Sequence, residues 1–272
     1  MISIFEVLSY PFMLRALLVG IFLSISASLV GVSLVLRRNS MIGDGLSHVS
    51  FGAFAIATVL GIAPLEFALP LVIVVSFLIL RLNENSKIHG DSAIALISAG
   101  SLAIGTFVVS IVKGVNIDIH NYLFGSILAV SYADLVWSMI LSFLVIIIYV
   151  LFYSKIFAIT FDESFASSIG IKANFYNGLF SVLCSVVVVI GMRLVGSLLL
   201  SSFIIFPTLC SMQVFKNFKS VVFSSALISV LSFVTGLLLS YYLATPTGAS
   251  IVLVHLVVFL GFSFISFCLS KR

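Results

Sequence analysis

The chain has 272 residues, 62% hydrophobic and 8% charged, with a net charge of +4 and a mean hydropathy of +1.35. A soluble domain carries roughly 45–50% apolar and about 25% charged residues, so these charges cannot dress a soluble surface. The thinly spread basic residues are no nucleic-acid footprint either. The composition therefore excludes a soluble enzyme, a disordered chain and a nucleic-acid-binding protein. It assigns residues 1–272 to a bilayer as a single polytopic domain.

In chain order, Met1–Tyr10 holds Glu6 and no basic residue, so no cleavable signal peptide is expected. Apolar runs at about 20 residues per span then predict helices over roughly 12–36, 44–62, 64–82, 92–112, 134–154, 175–192, 195–214, 220–243 and 249–270. They must be helices, because lipid offers no partner to free backbone groups. Turn and charge signals separate them: Arg37-Arg38-Asn39, Ala63-Pro64, Asn83-Glu84-Asn85, Lys216-Asn217 and Pro246-Thr247-Gly248. Between 175–192 and 195–214 the only break is Arg193, so eight spans remain open beside the favoured nine. The fold class is an all-α transmembrane bundle. Cys184, Cys210 and Cys268 sit in apolar runs and read as small buried hydrophobes.

Nine spans with the N-terminus outside put Arg37, Arg38, Arg81, Lys87, Lys155, Lys172, Lys216, Lys219, Lys271 and Arg272 inside. Arg15, Lys113 and Arg193 lie outside. That is the positive-inside bias of a multi-pass protein with a cytoplasmic C-terminus. Two connecting segments stand out. Outer residues 113–133 contain an apolar stretch, Asn121 to Leu128, too short to span and suited to a half-depth helix. Inner residues 155–174 predict a short capped helix: Asp162 at its start, Phe165, Ala166 and Ile169 on one side, Gly170 at its end. Such an element suits a cytoplasmic partner; a solvated connector is the alternative.

Small residues recur in the spans, as at Gly20, Gly31, Gly52, Gly100 and Gly105, and allow helices to pack closely. Ionisable residues at membrane depth are functional candidates. Asp44 and His48, at i and i+4, share one face of the second helix. Carboxylate plus imidazole suits zinc, and also manganese or iron. One helix supplies two ligands, and a two-fold dimer would supply four. On spacing alone the better reading has Asp44 capping the helix and His48 hydrogen-bonded within the bundle. Asp118 and His120 could receive a cation at the outer mouth, although solvated loop residues are the simpler reading. Glu66 and Asp134 read as caps or dipole partners. His255 reads as a satisfied core residue, Arg193 as a snorkelling interfacial one, and His89 and Asp91 as residues near a helix start. The sequence holds no G-x-x-x-x-G-K-[ST], H-E-x-x-H or G-x-S-x-G motif. Nor does it hold the chain of mid-span acids that a proton-driven carrier needs.

Five stretches in order carry a resemblance. They are Leu36-Arg37-Arg38 through Gly43-Asp44-Gly45-Leu46-Ser47-His48-Val49-Ser50, and Tyr122-Leu123-Phe124-Gly125 through Val130 with Asp134-Leu135. Asp162, Ala166 and Gly170 follow, then Val195-Gly196-Ser197-Leu198-Leu199-Leu200 with Ile204-Ile205-Phe206-Pro207, and last Thr245-Pro246-Thr247-Gly248 through Leu253. Together they resemble the membrane permease of bacterial ABC importers for zinc, manganese and iron, of the high-affinity zinc-uptake type.

That resemblance implies a fold like the vitamin B12-type importer permeases. It implies a homodimer in the bacterial inner membrane, a separate cytoplasmic ATPase subunit, and an extracytoplasmic solute-binding protein that delivers the ion. The chain is then no enzyme and holds no resident cofactor; the divalent metal is its cargo. The resemblance makes Asp44 and His48 the intramembrane ligands and thus reverses the reading from spacing. It makes 160–172, with Asp162, Ala166 and Gly170, the element coupled to the ATPase, and 118–130 the helix beside the outer gate. Ala244 replaces an acid common in the family. A proline that many manganese and iron members carry after the histidine is missing, which tilts the expected cargo toward zinc. A manganese or iron importer is the alternative within the family, and a stand-alone secondary carrier the alternative outside it.

Overall fold

The computed structural model describes residues 10–85, 90–112 and 132–270. Among these, every regular element is a helix: α1 Pro11–Leu36, α2 Met41–Leu60, α3 Pro64–Asn85, α4 Gly90–Ile111, α5 Tyr132–Leu151, α6 Tyr153–Phe161, α7 Glu163–Ser168, α8 Ala173–Val195, α9 Ser197–Val214, α10 Phe218–Leu243 and α11 Thr247–Ser270. Prolines open α1 and α3 at the position where their missing N–H costs nothing. Eight of the nine long helices are long and apolar enough to cross a membrane, and α3 is apolar only over Pro64–Leu80.

The doubtful boundary in the sequence was at Arg193. The break lies three residues later, at Gly196, whose backbone (φ 81, ψ 165) ends α8 and starts α9. Arg193 sits inside the last turn of α8.

Side-chain neighbours fix the direction of the helices. At one end of the bundle Arg37, Leu80, Thr160, Glu163 and Asn177 surround one cavity. At the other end Ala63, Glu66, Asp134, Trp137 and Arg193 surround another. Helix α8 runs from Asn177 to Arg193, and α3 runs from Glu66 to Leu80, so α3 traverses the same thickness in the opposite sense. Nine helices therefore pass from end to end. The end of α9 bonds to the end of α11, where Gln213 Nε2 donates to Ser263 Oγ at 2.9 Å. The described chain thus begins at the Arg193 end and leaves at the Arg37 end.

Helices in lipid are held by close packing, because the surrounding hydrocarbon is as apolar as the side chains. Three approaches to a neighbouring backbone are tight enough to demand glycine. A Cβ on Gly31 of α1 would overlap the backbone of Ile204 in α9, one on Gly52 of α2 would come within 2.7 Å of the Ser101 carbonyl oxygen in α4, and one on Gly236 of α10 would come within 2.6 Å of Ile251 Cα in α11. Helices α1 and α8 form the centre, while α4 and α11 turn most of their surface outward. Most buried serines bond to a carbonyl of their own helix, as Ser26 does to Leu23 and Ser50 to Leu46, which satisfies them without a partner helix. A few link helices: Ser33 to Tyr149, Ser181 to Ser76, and Ser229 to the Ser24 carbonyl.

Candidate metal site

Helix α2 starts at Met41, so Asp44 lies in its first turn and His48 one turn further, about 6 Å along the helix at 1.5 Å per residue. His48 Nε2 is 3.7 Å from Asp44 Oδ2. That is beyond hydrogen-bond length, so the two groups face each other across a small gap. The other carboxylate oxygen, Oδ1, accepts a hydrogen bond from Ser201 Oγ of α9 at 3.2 Å. Asp44 forms no helix cap, and Ser40 at the cap position has no side-chain cap bond. Ser201 reaches Asp44 because Gly31 lets α9 approach α1, and because Gly43 on α2 faces Ile204 of α9. The side chains of His48 and Asp44 remain 22% and 40% exposed, so one side of the pair is open. Among the described residues, no group of three or more His, Cys, Asp or Glu comes together anywhere. One chain therefore offers a carboxylate, an imidazole and an adjacent hydroxyl, an incomplete shell for a metal ion.

Asp118 and His120 lie outside the described residues, as does most of 113–133. Glu66 and Asp134 both fall in first turns at the Arg193 end, in α3 and α5. Asp134 is paired there, with its Oδ1 2.6 Å from Arg193 Nη2; Arg193 is thus an ion-pair partner where snorkelling was expected. The cavity beside them, about 390 Å³, is lined by Leu69, Pro70 and Trp137 among others. His255 is fully buried on α11. Its Nδ1 is 3.1 Å from the Ile251 carbonyl oxygen, and its ring meets Phe203 edge-on. Its Nε2 has no hydrogen-bond partner, so this core histidine is only half satisfied. Cys184 and Cys210 are buried, but Cys268 is exposed, contrary to the expectation of three buried thiols: it falls in the last turns of an outward-facing helix.

At the Arg37 end, α7 is a six-residue helix capped by Asp162, whose Oδ1 accepts from the Phe165 N–H at 2.8 Å. Gly170, at φ +86, closes it. Ala166 is fully buried against Ile159 and Ala173. These three residues build and seat the helix. The side chains presented outward are Phe161, Phe165 and Ile169, each more than half exposed.

Beside α7 lies a group that sequence reasoning did not assemble. Arg37 Nη1 donates to Asn177 Oδ1 at 2.9 Å, and Asn177 Nδ2 donates to Glu163 Oε1 at 2.9 Å. The guanidinium also lies 5.1 Å above the Phe180 ring, a cation–π distance. Its Nε and Nη2 are buried with no hydrogen-bond partner. Burial pulls the Arg37 pKa down, and Glu163 opposes that shift.

The chain is similar to known proteins over almost its whole length. The chain is 31% identical over 257 residues to the manganese import system permease protein ScaB of Streptococcus gordonii, covering 94% of this chain and 92% of that one. It is 28% identical over 244 residues to the high-affinity zinc uptake system membrane protein ZnuB of Haemophilus influenzae, covering 90% and 94%. The solved structure of PsaBC from Streptococcus pneumoniae in complex with Fab superposes with a TM-score of 0.85 at 30% identity, over 97% of this chain and 94% of that one. The ABC 3 transport family matches residues 9–266. A bundle of membrane-length helices matched along almost its whole length is a transport permease, and the chain belongs to the ABC 3 transport family.

Proposed function

We propose that the chain is the membrane-spanning subunit of an ATP-driven importer for a divalent transition metal, with Asp44 and His48 as its transient ligands. The observation that carries this reading is the open-sided pair on α2, steadied by Ser201. Stripping water from a dication in a low-dielectric bundle is costly. An anionic oxygen and an imidazole nitrogen offset that cost, while a partial shell keeps release possible. A second copy of the chain, apposed on the exposed side of the pair, supplies a second carboxylate and imidazole, which completes a four-ligand shell.

Zinc is the first candidate on that donor set. Manganese is the second reading, favoured by the identity to a manganese permease. ATP is hydrolysed by a separate cytoplasmic subunit that seats on α7, and an extracytoplasmic binding protein delivers the ion. The Arg37 end faces the cytoplasm of a bacterial cell. It gathers Arg37, Arg38, Lys155, Lys172, Lys216 and Lys219, against Arg15 and Arg193 at the other end. The N-terminus is then outside and the C-terminus inside.

The test uses the permease reconstituted in proteoliposomes with its ATPase and binding protein. Asp44→Ala and His48→Ala abolish uptake and metal-stimulated ATP hydrolysis while the complex still assembles. Uptake at the wild-type rate in either variant refutes the ligand assignment. Comparing stimulation by zinc, manganese and iron identifies the cargo. Transport without any ATPase subunit would establish a secondary carrier instead.

A further inference from the structure

Most polar side chains in this bundle bond within their own helix. The run Glu163–Asn177–Arg37 departs from that habit and joins three elements through two hydrogen bonds of 2.9 Å. Glu163 is exposed on α7, Asn177 is 3% exposed on α8, and Arg37 caps the end of α1. Each amide group of Asn177 is used once: its oxygen accepts from Arg37 and its nitrogen donates to Glu163. The amide therefore fixes the carboxylate and the guanidinium relative to each other.

Beyond Arg37 the chain has little slack. Arg38 is held in the left-handed region at φ 59. The Asn39 N–H bonds to the Leu34 carbonyl at 2.9 Å, and the Ile42 N–H bonds to the Asn39 carbonyl at 3.1 Å. Helix α2 begins at Met41, and Asp44 lies in its first turn. A displacement of the guanidinium is thus passed through a hydrogen-bonded turn to the carboxylate.

The guanidinium is also poorly satisfied where it stands. Two of its buried nitrogens, Nε and Nη2, lack acceptors, although a buried cation is stable only when paired and fully bonded. The anion at hand, Glu163, is one amide away. The bond through Asn177 is therefore what ties the cation to that anion.

We propose that Asn177 and Arg37 are positioning residues, and that Glu163–Asn177–Arg37 is the link by which movement of α7 shifts the ion-ligating turn of α2. The proposal rests on the reading of α7 as the ATPase-facing element and of α2 as the ion-carrying one.

The test measures ions transported per ATP hydrolysed in the reconstituted complex, with zinc and with manganese. Glu163→Ala removes the acceptor, and Asn177→Asp keeps the bond to Arg37 but loses the donor to Glu163. Each is expected to lower ions per ATP about tenfold, while the permease retains its ATPase and its equilibrium metal binding. Glu163→Gln keeps an oxygen that accepts from Asn177 and restores the wild-type ratio. Unchanged ions per ATP in Glu163→Ala and Asn177→Asp overturns the link. So does a Glu163→Gln variant as defective as Glu163→Ala. Loss of the ATPase from the Glu163→Ala complex overturns it as well, since it would make Glu163 a docking contact. If Asn177→Asp does not fold, Glu163→Ala, altered at an exposed position, decides alone. Failure of the ion-site reading is seen separately, as normal uptake by Asp44→Ala.

Discussion

Ser201 contributes no charge beside Asp44, yet its hydroxyl holds one oxygen of that carboxylate. A carboxylate with one oxygen held by a hydroxyl presents the other in a fixed direction, here toward His48. Groups that orient a ligand in this way typically change metal affinity by 10- to 100-fold when removed. Ser201→Ala is therefore expected to weaken metal binding about tenfold, read by equilibrium titration in detergent, with Ser201→Thr close to wild type. Unaltered affinity in Ser201→Ala would mean that Asp44 is oriented by its own helix alone. The sequence made Asp44 and His48 legible because an i,i+4 relation is local. It could not reveal Ser201, which lies 157 residues from Asp44 in the chain. Their meeting depends on a glycine contact between α1 and α9, and no local pattern of serines marks it. Asn177 and Glu163 escaped for the same reason, since each reads alone as an ordinary polar residue near a helix end.

A helix of six residues is too short to persist unaided, so α7 depends on its ends and its floor. Asp162 supplies the first, Gly170 turns the chain at the second, and Ala166 rests on Ile159 and Ala173. These features were legible, because caps and left-handed glycines have fixed sequence signatures. Which side chains the element presents was less so: the alternation of buried and exposed positions depends on where α6 and α8 lie. An aspartate cap is worth about 1 kcal/mol, a large fraction of the stability of a single turn and a half. Asp162→Ala is thus expected to loosen α7, raise amide hydrogen exchange over 163–169 and reduce retention of the ATPase. The double change Phe165→Ala, Ile169→Ala leaves α7 folded and lowers retention further. An ATPase that co-purifies equally with all of these would show that it docks elsewhere.

At the scale of the whole molecule, nine long helices and a described chain that enters and leaves at different ends follow from which residues meet at each end. Helix α3 is one of the nine. Its apolar stretch is short because Arg81, Asn83, Glu84 and Asn85 make its last turns polar, yet its two ends reach the same two cavities as α8. The proposed function puts the Arg37 end, where most basic residues gather, in the cytoplasm, and Cys268 provides a way to check it. Of the three thiols, Cys184 and Cys210 are buried, and Cys268 is exposed in the last turns of α11 at the Arg37 end. A membrane-impermeant maleimide should leave right-side-out vesicles unlabelled and should label inverted ones, with the signal abolished in Cys268→Ser. Labelling in right-side-out vesicles would reverse the orientation. It would put α7 on the outer face, where it could meet no ATPase, and would leave the link from Glu163 to Asp44 without a motor to drive it.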